Sequence, residues 1–316
     1  MSILRRFRDS GPRLRPELDD VELGHVRRQL GSRAVPGHDG MRIEQIERLL
    51  REAGTDWDRR THRLAVIAEA AAPWELARAW RMRSPRDADG LVLEAWVGLV
   101  RGRHAGRMDD ARAAVEYCHR AAEAVPADPT AWVALLGILR LVRADSRELF
   151  AVWDEVVSRD PWNREAFLQM LRYLSPEECG SSRNQMDFVE SLRASMPSNA
   201  PAAGVELTAV IDAYTRKTTR PGVEALLARH HWTTPWAVRA VNAALAEWLR
   251  PGHLRHAAAL ADLNLLAFAL VRAGRVPESA GVFRLLGGTV TEWPWTLDGD
   301  PLERFGYWQA KAMATA

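Results

Sequence analysis

Apolar residues recur every three to four positions through nearly every segment of the chain, and sustained apolar–polar alternation of the kind a half-buried strand needs is almost absent. The pattern predicts an all-α fold. Helices are expected over 18–30, 43–53, 57–72, 73–82, 88–104, 108–125 and 129–142, with breaks at Gly, Pro and Asp-rich points. Further helices are expected over 146–158, 163–173, 185–194, 205–215, 222–230, 235–249, 253–271, 277–286 and, at the end, 302–313. The connections are short, which implies antiparallel neighbours. Loops are expected at 175–184 and 196–204, where Ser, Asn, Pro and Gly gather. Residues 287–301 contain Trp293-Pro294-Trp295 and Asp298-Gly299-Asp300-Pro301, so they cannot form one long helix.

A second, longer period lies over the helical one. Trp96, Trp132 and Phe167 recur at intervals of 36 and 35, and Pro126, Pro161 and Pro197 at 35 and 36. Val125-Pro126-Ala127-Asp128-Pro129-Thr130-Ala131-Trp132 and Asp160-Pro161-Trp162-Asn163-Arg164-Glu165-Ala166-Phe167 are equivalent junctions, in which a proline ends one helix and an aromatic on the next fills the space between repeats. On these residues the chain resembles the tetratricopeptide repeat family, built from helix pairs of about 34 residues. The resemblance covers about 88–196. A late repeat matches it through Leu263, Leu266, Ala267, Leu270, Gly274, Phe283 and Leu286, with Ser279 in place of the usual Ala. Leu136 and Leu171 stand where the family has a first-helix glycine. Segments such as Pro73-Trp74-Glu75-Leu76-Ala77-Arg78-Ala79-Trp80 are also similar to bacterial helical-repeat proteins that bring no activity to carry over.

The resemblance implies an α-solenoid of antiparallel helix pairs in a right-handed superhelix, with helical caps at both ends. Residues 1–84 are expected to form an N-terminal helical cap region, 85–200 the repeats, and 201–316 further helical repeats and a Trp-rich C-terminal cap. A polar outer face at each end is what a stack of repeats requires.

Composition narrows the class. With 47% hydrophobic and 27% charged residues the chain reads as folded rather than disordered. No run approaches about 18 apolar residues, and Met1-Ser2-Ile3-Leu4-Arg5-Arg6-Phe7-Arg8 lacks a signal-peptide apolar stretch, so no transmembrane segment and a cytoplasmic location are expected. Cys118 and Cys179 form no framework, which suits a reducing compartment. A net charge of +2 is too near balance for a dedicated, sequence-specific nucleic-acid binder. Among the basic residues only Lys217 and Lys311 are lysines. Arg5, Arg6, Arg8, Arg13 and Arg15 form a basic tail that reads as a solvated terminus.

Candidate chemistry follows from the repeat register. With Trp96, Trp132 and Phe167 in the core, positions one, five and eight residues later fall on the inner face of each first helix. This face carries Arg101, His104, Arg140 and Arg172, joined by Glu94 and Glu165, and in the late repeat Asn264 and Arg272. Repeat proteins of this kind commonly hold a peptide in such a groove, and Arg grips a carboxylate bidentately. The expected function is therefore a non-enzymatic scaffold or adaptor that binds a protein or peptide in its concave groove, the arginines suiting an acidic one, with homo-oligomerisation as an alternative use of the same surfaces. No phosphate loop, dinucleotide fingerprint, Gly-x-Ser-x-Gly elbow or His-Glu-x-x-His is present, and no cofactor is expected. The alternative is an enzyme or a small-molecule or metal-binding protein, with its site in the Trp- and His-rich C-terminal half. His230, His231, His253 and His256 are its weak metal candidates, and Trp232, Trp236, Trp248, Trp293, Trp295 and Trp308 would line a pocket or fill a core.

Overall fold

A computed structural model of the protein describes residues 11–31, 39–219, 222 and 228–315. The described chain is all-helical apart from one two-residue strand pair. It divides into two compact units, Asp20–Phe188 and a second made of Val189–Ala316 with the residues before Asp20. Arg5, Arg6 and Arg8 of the basic tail, and most of the helix expected over 222–230, lie outside the described residues.

The first unit contains α1 (Val21–Gly31), α2 (Asp39–Ala53), α3 (Trp57–Ala71), α4 (Leu76–Arg83), α5 (Ala88–Ala105), α6 (Ala111–Ala124), α7 (Thr130–Leu141), α8 (Ser146–Arg159) and α9 (Arg164–Tyr173); α10 (Ser182–Ser195) begins in it. Asp56, Asp87 and Asn163 start α3, α5 and α9 by accepting from the backbone N–H of Arg59, Gly90 and Ala166. At the far end of α5, Gly106 takes the left-handed conformation, φ 72°, that stops the helix.

Burial separates the helices into two kinds. In α7 ten of 12 residues are buried, so that helix is enclosed all round. By contrast α6 buries only the stripe Ala114, Cys118, Ala121 and Ala122, and α8 only Leu149, Val152 and Val156, the mark of an outer layer. The odd-numbered helices form a row in which α1 packs on α3, α3 on α5, α5 on α7 and α7 on α9. Neighbours in sequence also touch, α1 with α2, α2 with α3, and α4 with α5 and onward through α8. Gly137 permits the closest approach in this row, since a Cβ there would stand 2.6 Å from Leu99 Cδ2.

Helix α3 also reaches past α5 to α7 and α9, so the row bends back on itself. A buried polar knot fixes that bend. Arg60 Nε donates to Asp128 Oδ2 at 2.7 Å, its Nη1 to the Leu50 carbonyl at 3.1 Å, and its Nη2 to Asp89. Asp128 in turn accepts from the Thr130 N–H and hydroxyl at the start of α7. Asn163 Nδ2 donates to the Thr61 hydroxyl at 3.1 Å. Burial works against the charge on Arg60, but the two carboxylates outweigh it and hold the guanidinium protonated.

In the second unit a 3₁₀ turn (Pro201–Gly204) leads into α11 (Val205–Thr219), another (Ala228–Thr233) leads into α12 (Pro235–Trp248), and α13 (Ala259–Arg272) and α14 (Val276–Leu286) follow. The strand Thr289–Val290, a third 3₁₀ turn (Trp295–Asp298) and α15 (Pro301–Thr315) complete it. Phe268, Phe283, Trp295 and Phe305, each fully buried, meet largely edge to face at its centre. Trp295 is therefore core. Arg13–Leu14 pairs in parallel with Thr289–Val290, the Arg13 N–H donating to the Gly288 carbonyl and the Arg15 N–H to that of Val290. At these residues the basic tail is a paired strand and not a frayed end.

Candidate functional site

A cleft of about 450 Å³ opens in the first unit between α4, α5 and α6. Each helix turns one face to it. Glu94, Gly98, Arg101 and Gly102 come from α5 at three- and four-residue spacing, and Ala113, Ala114 and Tyr117 from α6. Arg78 and Arg81, three apart on α4, supply the facing wall. Small residues on α5 and α6 leave the space, and the charged side chains ring it.

The electrostatics are mixed but leave cationic groups available. Arg81 lies over the Tyr117 ring, 4.8 Å from its centroid, and its Nε is buried with no hydrogen-bond partner. Exposed Arg78 stands 3.6 Å from Glu75, and exposed Arg107 2.5 Å from Asp109, pairs that water and salt weaken. Burial pushes the Glu94 carboxyl above its ordinary range, while Arg81 and Arg101 pull the other way. The cleft can thus offer guanidinium donors, an aromatic face and one half-buried carboxyl to a ligand.

Of the residues expected from the repeat register, Glu94 and Arg101 line this cleft. Arg101 already serves the chain, however. Its Nε and Nη2 each donate at 2.7 Å to the carbonyls of Ala72 and Trp74, closing the end of α3. His104 is exposed, 3.5 Å from Glu69 of α3, with Arg103 bonded to the same carboxylate. Arg140 lies in the interior, 6% exposed, donating to Gln169 Oε1 at 2.6 Å and to Glu178. Glu165 accepts from Gln169 Nε2 at 2.5 Å, and Arg172 is exposed at the end of α9. These residues are therefore not one continuous basic strip. Arg81 escapes the register because α4 falls in the segment expected to form a cap, and Tyr117 because the register follows only the first helix of each pair and Tyr117 lies on the second, α6. The three-residue spacing of Arg78 and Arg81 was the available signal.

The second unit holds the other candidates in internal roles. Asn264 is fully buried, donating to the carbonyls of Leu260 at 2.8 Å and Thr289 at 3.2 Å and accepting from Trp295 Nε1 at 2.9 Å. Arg272 bonds Asp298 and the Tyr214 hydroxyl and lies over the Tyr214 and Phe268 rings. His231 Nε2 lies 3.0 Å from the Val210 carbonyl, and Lys217 Nζ 3.3 Å from its Nδ1. Burial, then the Lys217 charge, lowers the His231 pKa to about 4. His256 is buried 3.2 Å from Asp262, His253 faces Glu247 at 3.8 Å, and His230 is exposed. Among the described residues no three His, Cys, Asp or Glu side chains group as metal ligands. No helix among them is long and apolar enough to cross a membrane.

No protein-family model, curated protein or solved structure matches the chain.

Proposed function

We propose that the protein is a non-enzymatic helical scaffold that binds a segment of polypeptide in the cleft between α4, α5 and α6. The finer architecture that supports this reading is a set of tetratricopeptide-like helix pairs, α5 with α6, α7 with α8 and α9 with α10, each odd helix inside and each even helix outside. The observation that carries the proposal is Arg81: a guanidinium stacked on Tyr117, with a buried Nε lacking an acceptor, at the wall of a 450 Å³ cleft. A carboxylate or a main-chain carbonyl of an incoming peptide supplies that acceptor. Arg78 and Arg107 at the rim favour acidic segments, and the small residues of α5 and α6 admit one side chain between them.

The register-based reading placed the ligand along α5, α7 and α9 together. The burial of Arg140 and the bonds of Arg101 to the α3 carbonyls support the α4–α5–α6 cleft in its place. Selection from a displayed peptide library tests this. Peptides retained by the wild type should be enriched in Asp and Glu and lost from an Arg78→Glu/Arg107→Glu variant, whose exposed substitutions leave the core intact. A library that yields no binder, or binders indifferent to those two charges, opposes the proposal.

A further inference from the structure

The second unit contains a separate cavity of about 190 Å³ between α10, α11 and α12. Its size bounds the occupant. The volume exceeds the roughly 150 Å³ that encloses benzene and falls short of the roughly 300 Å³ where pockets for drug-sized ligands begin. A molecule of amino-acid size fits, and a peptide does not.

The lining says which chemistry. Ala240, Ala244 and Trp248 form an apolar side. Glu206, in the first turn of α11, faces them with a side chain 17% exposed; its Oε1 is buried without a well-formed hydrogen bond, and the Trp236 indole N–H, itself unpaired, draws only weakly on the same carboxyl. Arg239 Nη2 stands 3.9 Å away, beyond bonding range, and Arg193 acts on the carboxylate through its charge. A buried carboxylate oxygen without a donor is costly, so the cavity favours a ligand that brings one. At the rim, half-exposed Glu247 presents a second carboxylate, 3.8 Å from His253. The wall of Trp248 suits a cation further. Burial raises the Glu206 pKa, against the pull of Arg193 and Arg239, which is the condition a cationic ligand relieves.

We propose that this cavity binds a small organic ammonium compound, its nitrogen donating to Glu206 and Glu247 and its short carbon body lying against Ala240, Ala244 and Trp248. An ammonium group fits because it carries three donors that can reach acceptors in several directions. Arg193 at the rim decides the source of that ammonium: it adds nothing to a simple amine and pairs with the carboxylate of an amino acid.

Titration of the full-length protein with n-butylammonium, norleucine, butan-1-ol and butyrate, followed by calorimetry and by the indole NMR signals, tests the assignment. The ammonium compounds should bind saturably at about 1 mM or below, and the alcohol and the carboxylate should not. Glu206→Gln should weaken binding by about tenfold or more. Ala243→Phe, an exposed change at the mouth, should abolish binding with the fold and Glu206 intact, so a folding defect in the first variant leaves the test standing. Tighter binding of norleucine than of butylammonium, lost in Arg193→Met, identifies an amino acid; equal binding identifies an amine. Absence of saturable binding, equal response to butan-1-ol, or full affinity in Ala243→Phe overturns the proposal. None of these outcomes bears on the peptide cleft of the first unit.

Discussion

Replacing Arg60 by methionine should loosen the first unit more than any surface change. The methionine keeps most of the apolar stem and removes the charge, leaving Asp128 and Asp89, 8% and 23% exposed at their side chains, without their cation. Breaking a buried ion pair from one side costs about 3–5 kcal/mol. Asp128 retains its bonds to Thr130, and Asp89 can turn toward water, so the lower end applies, about 3 kcal/mol. Because two compact units can unfold separately, the suitable reporter is amide hydrogen exchange in peptides from α3, α5 and α7. A loss of about 3 kcal/mol should speed their slowest exchange about a hundredfold. Arg48→Met, which removes an exposed pair with Glu52, should change it less than about threefold. Adding Asp89→Asn and Asp128→Asn to Arg60→Met should recover part of the loss, because no buried charge is then left uncompensated. Exchange in Arg60→Met no faster than in Arg48→Met would refute the claim that this knot holds the bend of the odd-numbered row.

Three further outcomes follow from other parts of the structure. The folded state keeps His231 neutral down to about pH 4, whereas the unfolded chain takes up its proton near 6.5. Stability from this residue is thus complete above about 6.5 and declines as pH falls toward 4, by about 3 kcal/mol at most. The difference in unfolding free energy between wild type and His231→Gln should shrink over that window, and a constant difference would contradict it. Gly204→Ala should destabilise the second unit by at least about 2 kcal/mol in thermal or urea unfolding, since the new Cβ would fall 2.0 Å from Asp262 Oδ1. In thiol titration, exposed Cys179 should react in the native protein, while Cys118, whose thiol burial also pushes up in pKa, should react only after unfolding.

How much of this was legible in the sequence depended on the range of the interaction. Helical periodicity located the elements because each helix buries a face set by its own residues, and the 35-residue spacing of Trp96, Trp132 and Phe167 marked the inner helices. Boundaries moved by a turn or so: the described part of α2 starts at Asp39, before its first buried residue Ile43, and α13 begins at Ala259, where the Ala259 N–H closes a turn onto the His256 carbonyl. Side-chain partnerships were illegible for a different reason. Arg101 and Arg140 fall on the same expected inner face, five residues after Trp96 and eight after Trp132, yet one meets carbonyls 29 and 27 residues earlier and the other meets Gln169 and Glu178. Register gives a direction and not a partner. The pairing of Arg13–Leu14 with Thr289–Val290 joins opposite ends of the chain through two-residue strands too short to alternate.

The peptide cleft is tested most directly by amide hydrogen exchange on the full-length protein, alone and saturated with a peptide selected from the library. Protection confined to Leu76–Arg83, Ala88–Ala105 and Ala111–Ala124, and lost when Arg81→Met removes the stacked guanidinium from a protein that still folds, is the predicted result. Protection along α7 and α9 without α4, or unchanged protection in Arg81→Met, would contradict it.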